Sequence, residues 1–201
     1  MYRGRALLAL ALALLVMAPT AALAHRTEGV GGGLVSGFLH PILGPDHLVA
    51  MVAVRLWGAQ LGRPLLIVLP LTFPLVMAFG GLLGVLKFPL PGVELGISVS
   101  ALVLGLVVAF AYRAPVWLAV TLIGVFAIFH GYAHGEELPR ADSPIAYGIG
   151  FVVSTGLLHL AGIAIGQLNE WKETGPLIVR GCGVLIAAGG VYFVSTAIGV
   201  A

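Results

Sequence analysis

The chain has 201 residues, 60% of them hydrophobic and only 9% charged, against about 25% charged in soluble domains. So few charges cannot cover a water-exposed globule, which excludes a soluble enzyme and a disordered chain. Ten basic residues and a net charge of +2 also exclude a surface that tracks nucleic-acid phosphates. Cys182 is the single cysteine, so neither an intramolecular disulfide framework nor a thiolate cluster is available. The 29 glycines and 12 prolines suit closely approaching and broken helices in a bilayer.

Residues 1–24 read as a cleavable signal peptide. Arg3 and Arg5 form its basic start, Ala6 to Ala18 is an apolar stretch short for a span, Pro19 breaks it, and Ala22-Leu23-Ala24 fits the small-x-small cleavage rule. Cleavage after Ala24 makes His25 the new N-terminus and places it outside the cytoplasm. The alternative is an uncleaved first helix.

The remainder, residues 25–201, is expected to be one all-α, polytopic membrane bundle of six transmembrane helices, because a bilayer core takes about 20 apolar residues per helix. The candidate spans are 34–58, 64–86, 93–112, 115–134, 144–168 and 177–200. Pro64, Pro115, Pro144 and Pro176 mark helix starts, where a first-turn N–H has no partner to lose. With His25 outside, Arg55, Arg63, Arg113, Lys172 and Arg180 fall on the inner side and Arg26, Lys87 and Arg140 on the outer side, a modest positive-inside bias that agrees with the leader.

On this topology the polar residues gather at one level. His25, His40, Asp46, His47, Glu94, His130, His134, Glu136 and Glu137 all fall near the outer face, and only His159 lies deeper. An ionised group in a span costs about 2.5–3.5 kcal/mol on insertion scales, so the clustering needs a reason. In His40-Pro-Ile-Leu-Gly-Pro-Asp46-His47, an intact helix separates the two histidine backbones by roughly 10.5 Å, too far for one small ion unless the side chains converge. Pro41, Gly44 and Pro45 are placed to break it, and broken helices commonly line transporter sites. Asp46 is suited to ligating an ion or to orienting a histidine ring. In Phe129-His130-Gly-Tyr-Ala-His134-Gly-Glu136-Glu137-Leu-Pro139, His130 and His134 share a helix face at i,i+4, and one of the two glutamates is expected to join them. The zinc-protease pattern is absent, since Gly131 stands where its glutamate belongs. Each element also has a plain reading: a helix cap with a buried polar group for the first, a solvated helix end for the second. Glu94 suits a helix N-terminus as well as ligation, and Phe73 and His159 suit packing as well as a transport path.

Imidazole and carboxylate ligands favour a divalent first-row metal such as nickel or zinc over soft copper(I), and affinity order discriminates poorly among such ions. His25, as a free N-terminus, offers a ring nitrogen and an amine together. No GxxxxGK[ST] loop is present for ATP.

The stretch GFLHPILGPDHLVAMVAV, with His40-x5-Asp46-His47, and the stretch FHGYAHGEELP at 129–139 resemble the two motifs of the HupE/UreJ family of nickel permeases, and the resemblance runs through the whole mature chain. It implies secondary, non-ATP transport of Ni2+, with Co2+ or Zn2+ as alternatives, across the inner membrane into the cytoplasm. The ion is cargo rather than a permanent cofactor, the protein is not an enzyme, and hydrogenase or urease maturation proteins are the implied partners. His40, Asp46 and His47 correspond to the family's first-helix functional residues, while Phe73, Glu94, His134 and Glu137 sit at its further functional positions. Arg55 departs from the small residue usual there. The main rival is a membrane zinc metalloenzyme acting as a hydrolase; a haem-binding electron carrier and a metal-delivery scaffold are the others.

Overall fold

The structure, a computed structural model, describes residues 32–138, 143–166 and 174–200. The expected leader, His25, Arg26, Arg140 and Lys172 lie outside the described residues. Seven helices account for nearly all of those described: α1 (Gly32–Leu43), α2 (Pro45–Leu61), α3 (Leu65–Val85), α4 (Val93–Ala109), α5 (Val116–Glu137), α6 (Pro144–Gly166) and α7 (Gly175–Ala197). Helices α3, α5, α6 and α7 are long and apolar enough to cross a membrane, and α1 with α2 makes a fifth candidate bent by 69°. The chain is therefore a multi-pass membrane protein.

Two of the six expected spans differ from a plain crossing. The first is two helices, for a local reason. Pro45 has no N–H to donate back along α1, and its ring disfavours helical geometry at the residue before it. Gly44 is accordingly extended (φ −85°, ψ 96°), while its own N–H still reaches the His40 carbonyl at 3.0 Å. The third, α4, is apolar but only 17 residues long. It rises about 25 Å, less than the roughly 30 Å hydrocarbon core. It stops where Ala111 turns to φ 49°, a left-handed conformation in which a non-glycine residue is strained. Side chains of neighbouring helices take up the carbonyls exposed at this end: Gln60 Nε2 donates to Val108 O and Trp57 Nε1 to Tyr112 O, each at 2.9 Å, and Arg180 Nε to Ala109 O at 2.8 Å.

The sequence places the end of α5 at residue 134, with a connector from Gly135; the helix instead runs on to Glu137. Gly135 is a packing residue rather than a terminator, because a Cβ there would overlap the Gly81 carbonyl on α3.

The helices are arranged around α2, which touches α1, α3, α4, α6 and α7. Three tight pairs surround it, and glycines set the register of each. Gly80, Gly84, Gly131 and Gly135 press α3 and α5 together side by side in parallel. Gly105, Gly183 and Gly190 join α4 to α7 in antiparallel fashion. Gly37 and Gly150 join α1 to α6 in parallel. Such backbone-to-backbone contact is the usual substitute for hydrophobic drive between helices in lipid. Met51, Trp57, Leu69, Phe73, Leu104 and Ile123 fill the centre, while Leu75, Val152, Leu177 and Val184 point outward, the inverted pattern a lipid solvent allows.

Gly131→Leu has no room, since its first carbon would overlap the Met77 carbonyl, whereas Gly124 faces open space. Overpacking of this kind costs about 1–3 kcal/mol or more. Gly131→Leu is expected to lower the thermal midpoint of the detergent-solubilised protein sharply and Gly124→Ala to leave it nearly unchanged, as read by fluorescence-detected size exclusion after heating.

Candidate metal centre

The break at Gly44 decides where the first motif's side chains go. It brings the His40 and His47 rings to 6.1 Å, centre to centre. Asp46, in the first turn of α2 where a negative charge is favoured by the helix dipole, is engaged by its neighbour His47. Its Oδ1 accepts from the His47 backbone N–H at 2.9 Å and from His47 Nδ1 at 3.0 Å. That is the carboxylate–histidine arrangement that fixes a ligand ring and leaves its other nitrogen for a metal. His47 Nε2 is buried and has no protein partner.

α5 supplies the opposing wall. His134 lies 4.9 Å from the His40 ring and 4.6 Å from that of His47, and His130 lies 4.7 Å from His47. One turn beyond His134, Glu137 pairs with His40, Nε2 to Oε2 at 3.2 Å. The continued helix settles which glutamate faces inward: Glu137 reaches His40, and Glu136 is exposed. One ligand atom each from His40, His134 and Glu137 lies within 4.8 Å of the others. Two ligand atoms on one ion at about 2.1 Å are at most about 4.2 Å apart, so small side-chain shifts close this set around a cation. Both nitrogens of His134 and Nδ1 of His130 are buried without a protein hydrogen bond. Groups so placed cost about 1–3 kcal/mol each if nothing engages them, and a cation engages several lone pairs at once.

The remaining expected residues divide. Phe73 is fully buried with its ring 5.5 Å from that of His130, so it walls the chamber. Glu94 sits exposed in the first turn of α4, outside the convergent set. His159 is buried on α6 with neither ring nitrogen partnered, two turns along from Phe151. Three residues were not anticipated. Tyr147 and Phe151 close the chamber from α6, their rings 6.0 Å from His40 and 4.4 Å from His134. Ser100 of α4 touches His130 Nε2 at 2.8 Å. The four-residue spacing Tyr147, Phe151, Thr155, His159 was a usable signal for a buried α6 stripe; a lone serine in an apolar helix carried none.

Fold and site together describe a multi-pass membrane protein with a buried imidazole–carboxylate chamber. The family model described as HupE / UreJ protein matches residues 12–193, and the chain belongs to that family. It is also 38% identical over 169 residues to Protein HupE of Rhizobium leguminosarum bv. viciae, covering 84% of this chain and 88% of that protein. No solved structure matches it.

The geometry predicts graded effects on Ni2+ binding by the purified full-length protein, measured by equilibrium dialysis. His134→Ala abolishes binding in the micromolar range. Asp46→Asn, which weakens the hold on His47, costs about 10- to 100-fold in affinity. Glu136→Gln changes nothing.

Proposed function

We propose that the protein is a secondary permease that admits a divalent transition metal, nickel foremost, to the cytoplasm for hydrogenase or urease maturation. The observation that carries this is the convergence of His40, His134 and Glu137, from two separate spans, on one site with ligand atoms within 4.8 Å of one another. Membership of a family of accessory transporters supports conduction over hydrolysis. Imidazole with one carboxylate suits nickel, cobalt and zinc and disfavours magnesium and calcium, which prefer oxygen ligands.

In this reading the six crossings are the bent α1–α2 pair, α3, α4, α5, α6 and α7. α4 is carried through the bilayer by its antiparallel contact with α7. The leader is removed, His25 becomes a periplasmic N-terminus that helps to collect ions, and the chamber opens to the periplasm across the inner membrane. Glu94 at the mouth adds negative charge that draws cations in. The ion sheds water onto His40, His134 and Glu137, passes His47 and His130 beside Phe73, and continues along α6. There Ser154, Thr155 and His159 are buried with no partner for their polar atoms, and His159 lies about 12 Å further along the helix than Phe151. The membrane potential supplies the drive, about 2.3 kcal/mol per charge per 100 mV and so about 4.6 kcal/mol for a 2+ ion.

Two outcomes follow. In cells lacking other nickel importers, His47→Ala abolishes 63Ni uptake while the membrane-inserted protein remains at its normal level; uptake at the normal rate would defeat the assignment. Unlabelled Co2+ and Zn2+ compete for that uptake, whereas Mg2+ at equal excess does not.

A further inference from the structure

Two rings of the chamber are held in defined tautomers by groups that are not themselves directed at an ion. The Asp46 carboxylate only accepts hydrogen bonds, so its contact with His47 Nδ1 at 3.0 Å makes Nδ1 a protonated nitrogen and, in the neutral ring that can ligate, Nε2 the bare one. The second clamp comes from α4. The Ser100 hydroxyl has one proton, and it is donated to the Ile97 carbonyl at 2.6 Å. The 2.8 Å contact between Ser100 Oγ and His130 Nε2 then requires the ring N–H to donate, which leaves Nδ1 of His130 bare. Ser100 and His130 are both fully buried, so water does not compete for this arrangement from a surface. The two bare nitrogens, His47 Nε2 and His130 Nδ1, are buried without a protein partner, and the rings that carry them lie 4.7 Å apart. His134 stands 4.6 Å from His47 with both of its nitrogens unpartnered.

The geometry points to a second, all-imidazole station made by His47, His130 and His134, adjoining the His40–His134–Glu137 set, with Ser100 as the positioning residue that holds His130 in the ligating tautomer. Its role in conduction rests on the permease reading; its existence as a binding site does not. Among the described residues only the set containing Glu137 already has three ligand atoms within 4.8 Å of one another. The inner rings are not yet gathered so closely. His134 is the ring that no hydrogen bond restrains, held only by packing against His40, His47 and Phe151. An ion then passes inward by exchanging His40 and Glu137 for His47 and His130 around His134, whose one bare nitrogen serves the outer set first and the inner set after the ring turns.

The two stations differ in chemistry. The outer one has a carboxylate, which any divalent cation can use. The inner one offers imidazole alone, which borderline metals accept and magnesium or calcium do not. The stricter discrimination against hard cations therefore resides at the inner station, and it depends on a serine two helices away from the first motif.

The test uses 15N-histidine-labelled full-length protein in lipid nanodiscs, with the His130 signals assigned by their loss in His130→Gln and Zn2+ as a diamagnetic probe. The wild type is expected to show His130 with Nε2 protonated and Nδ1 bare, and Zn2+ is expected to shift the Nδ1 signal. Ser100→Ala loses the tautomer preference and about tenfold in Zn2+ affinity, and Ser100→Thr restores both. A protonated Nδ1 in the wild type overturns the inference without any variant having to fold. So does a Zn2+ titration that leaves His130 unmoved, or a Ser100→Ala protein unchanged in tautomer and affinity. Parallel nickel uptake in cells separates the two readings. Zn2+ on His130 without uptake by the wild type sinks the permease and keeps the station; uptake with His130 untouched by metal does the reverse.

Discussion

A single missing hydrogen-bond donor shapes the chamber. Pro45 cannot continue the helix that Pro41 and Gly44 have already weakened, and the resulting 69° bend places His40 and His47 on the same space instead of two turns apart on one rod. Without the bend, Asp46 and His47 are polar groups stranded in a span at a cost of a few kcal/mol. With it, Asp46 is occupied by His47, His40 by Glu137, and the bare imidazole nitrogens share one enclosure. The break and the candidate ligand set are therefore one feature: the residues that spoil the helix, Pro41, Gly44 and Pro45, lie between the residues that line the site, His40, Asp46 and His47.

A bent helix is useful only if another wall meets it. That wall is set by glycine. Gly80, Gly84, Gly131 and Gly135 let α3 and α5 touch backbone to backbone, which fixes the rotation of α5 so that His130, His134 and Glu137 face the bend while Gly131 and Gly135, one residue after each histidine, face α3. The second motif thus carries two interleaved patterns on one helix, ligands on one side and close contact on the other. Phe73 shows the same coupling, since its ring rests against His130 from the helix that those glycines bring near.

Much of this was legible in the residues. Composition and apolar runs gave an all-helical membrane bundle, the prolines gave most helix starts, and Pro41, Gly44 and Pro45 gave the break. The histidine and carboxylate positions pointed to one level of the bundle, because charge inside lipid is costly enough to be informative wherever it occurs, and the rings of His40, His47, His130 and His134 do meet there. What stayed hidden depended on tertiary contact. Gly135 looks like a helix terminator until its neighbour Gly81 is known, so the choice between Glu136 and Glu137 was open. The shortness of α4 is set by carbonyls that Gln60, Trp57 and Arg180 satisfy from other helices, and no local signal marks such partners. Ser100 contacts a ring thirty positions away, and the spacing of Tyr147, Phe151, Thr155 and His159 marks a buried stripe on α6 without saying which rings it meets.

The central claim is that imidazoles from α1–α2 and α5 bind one ion together. Nickel K-edge X-ray absorption of the stoichiometrically loaded, full-length protein tests it most directly. The account predicts the outer-shell scattering of at least two coordinated imidazole rings alongside a carboxylate oxygen, with the imidazole contribution falling when either His40 or His134 is replaced. A nickel shell of water oxygens alone, or a spectrum that neither replacement alters, would contradict it.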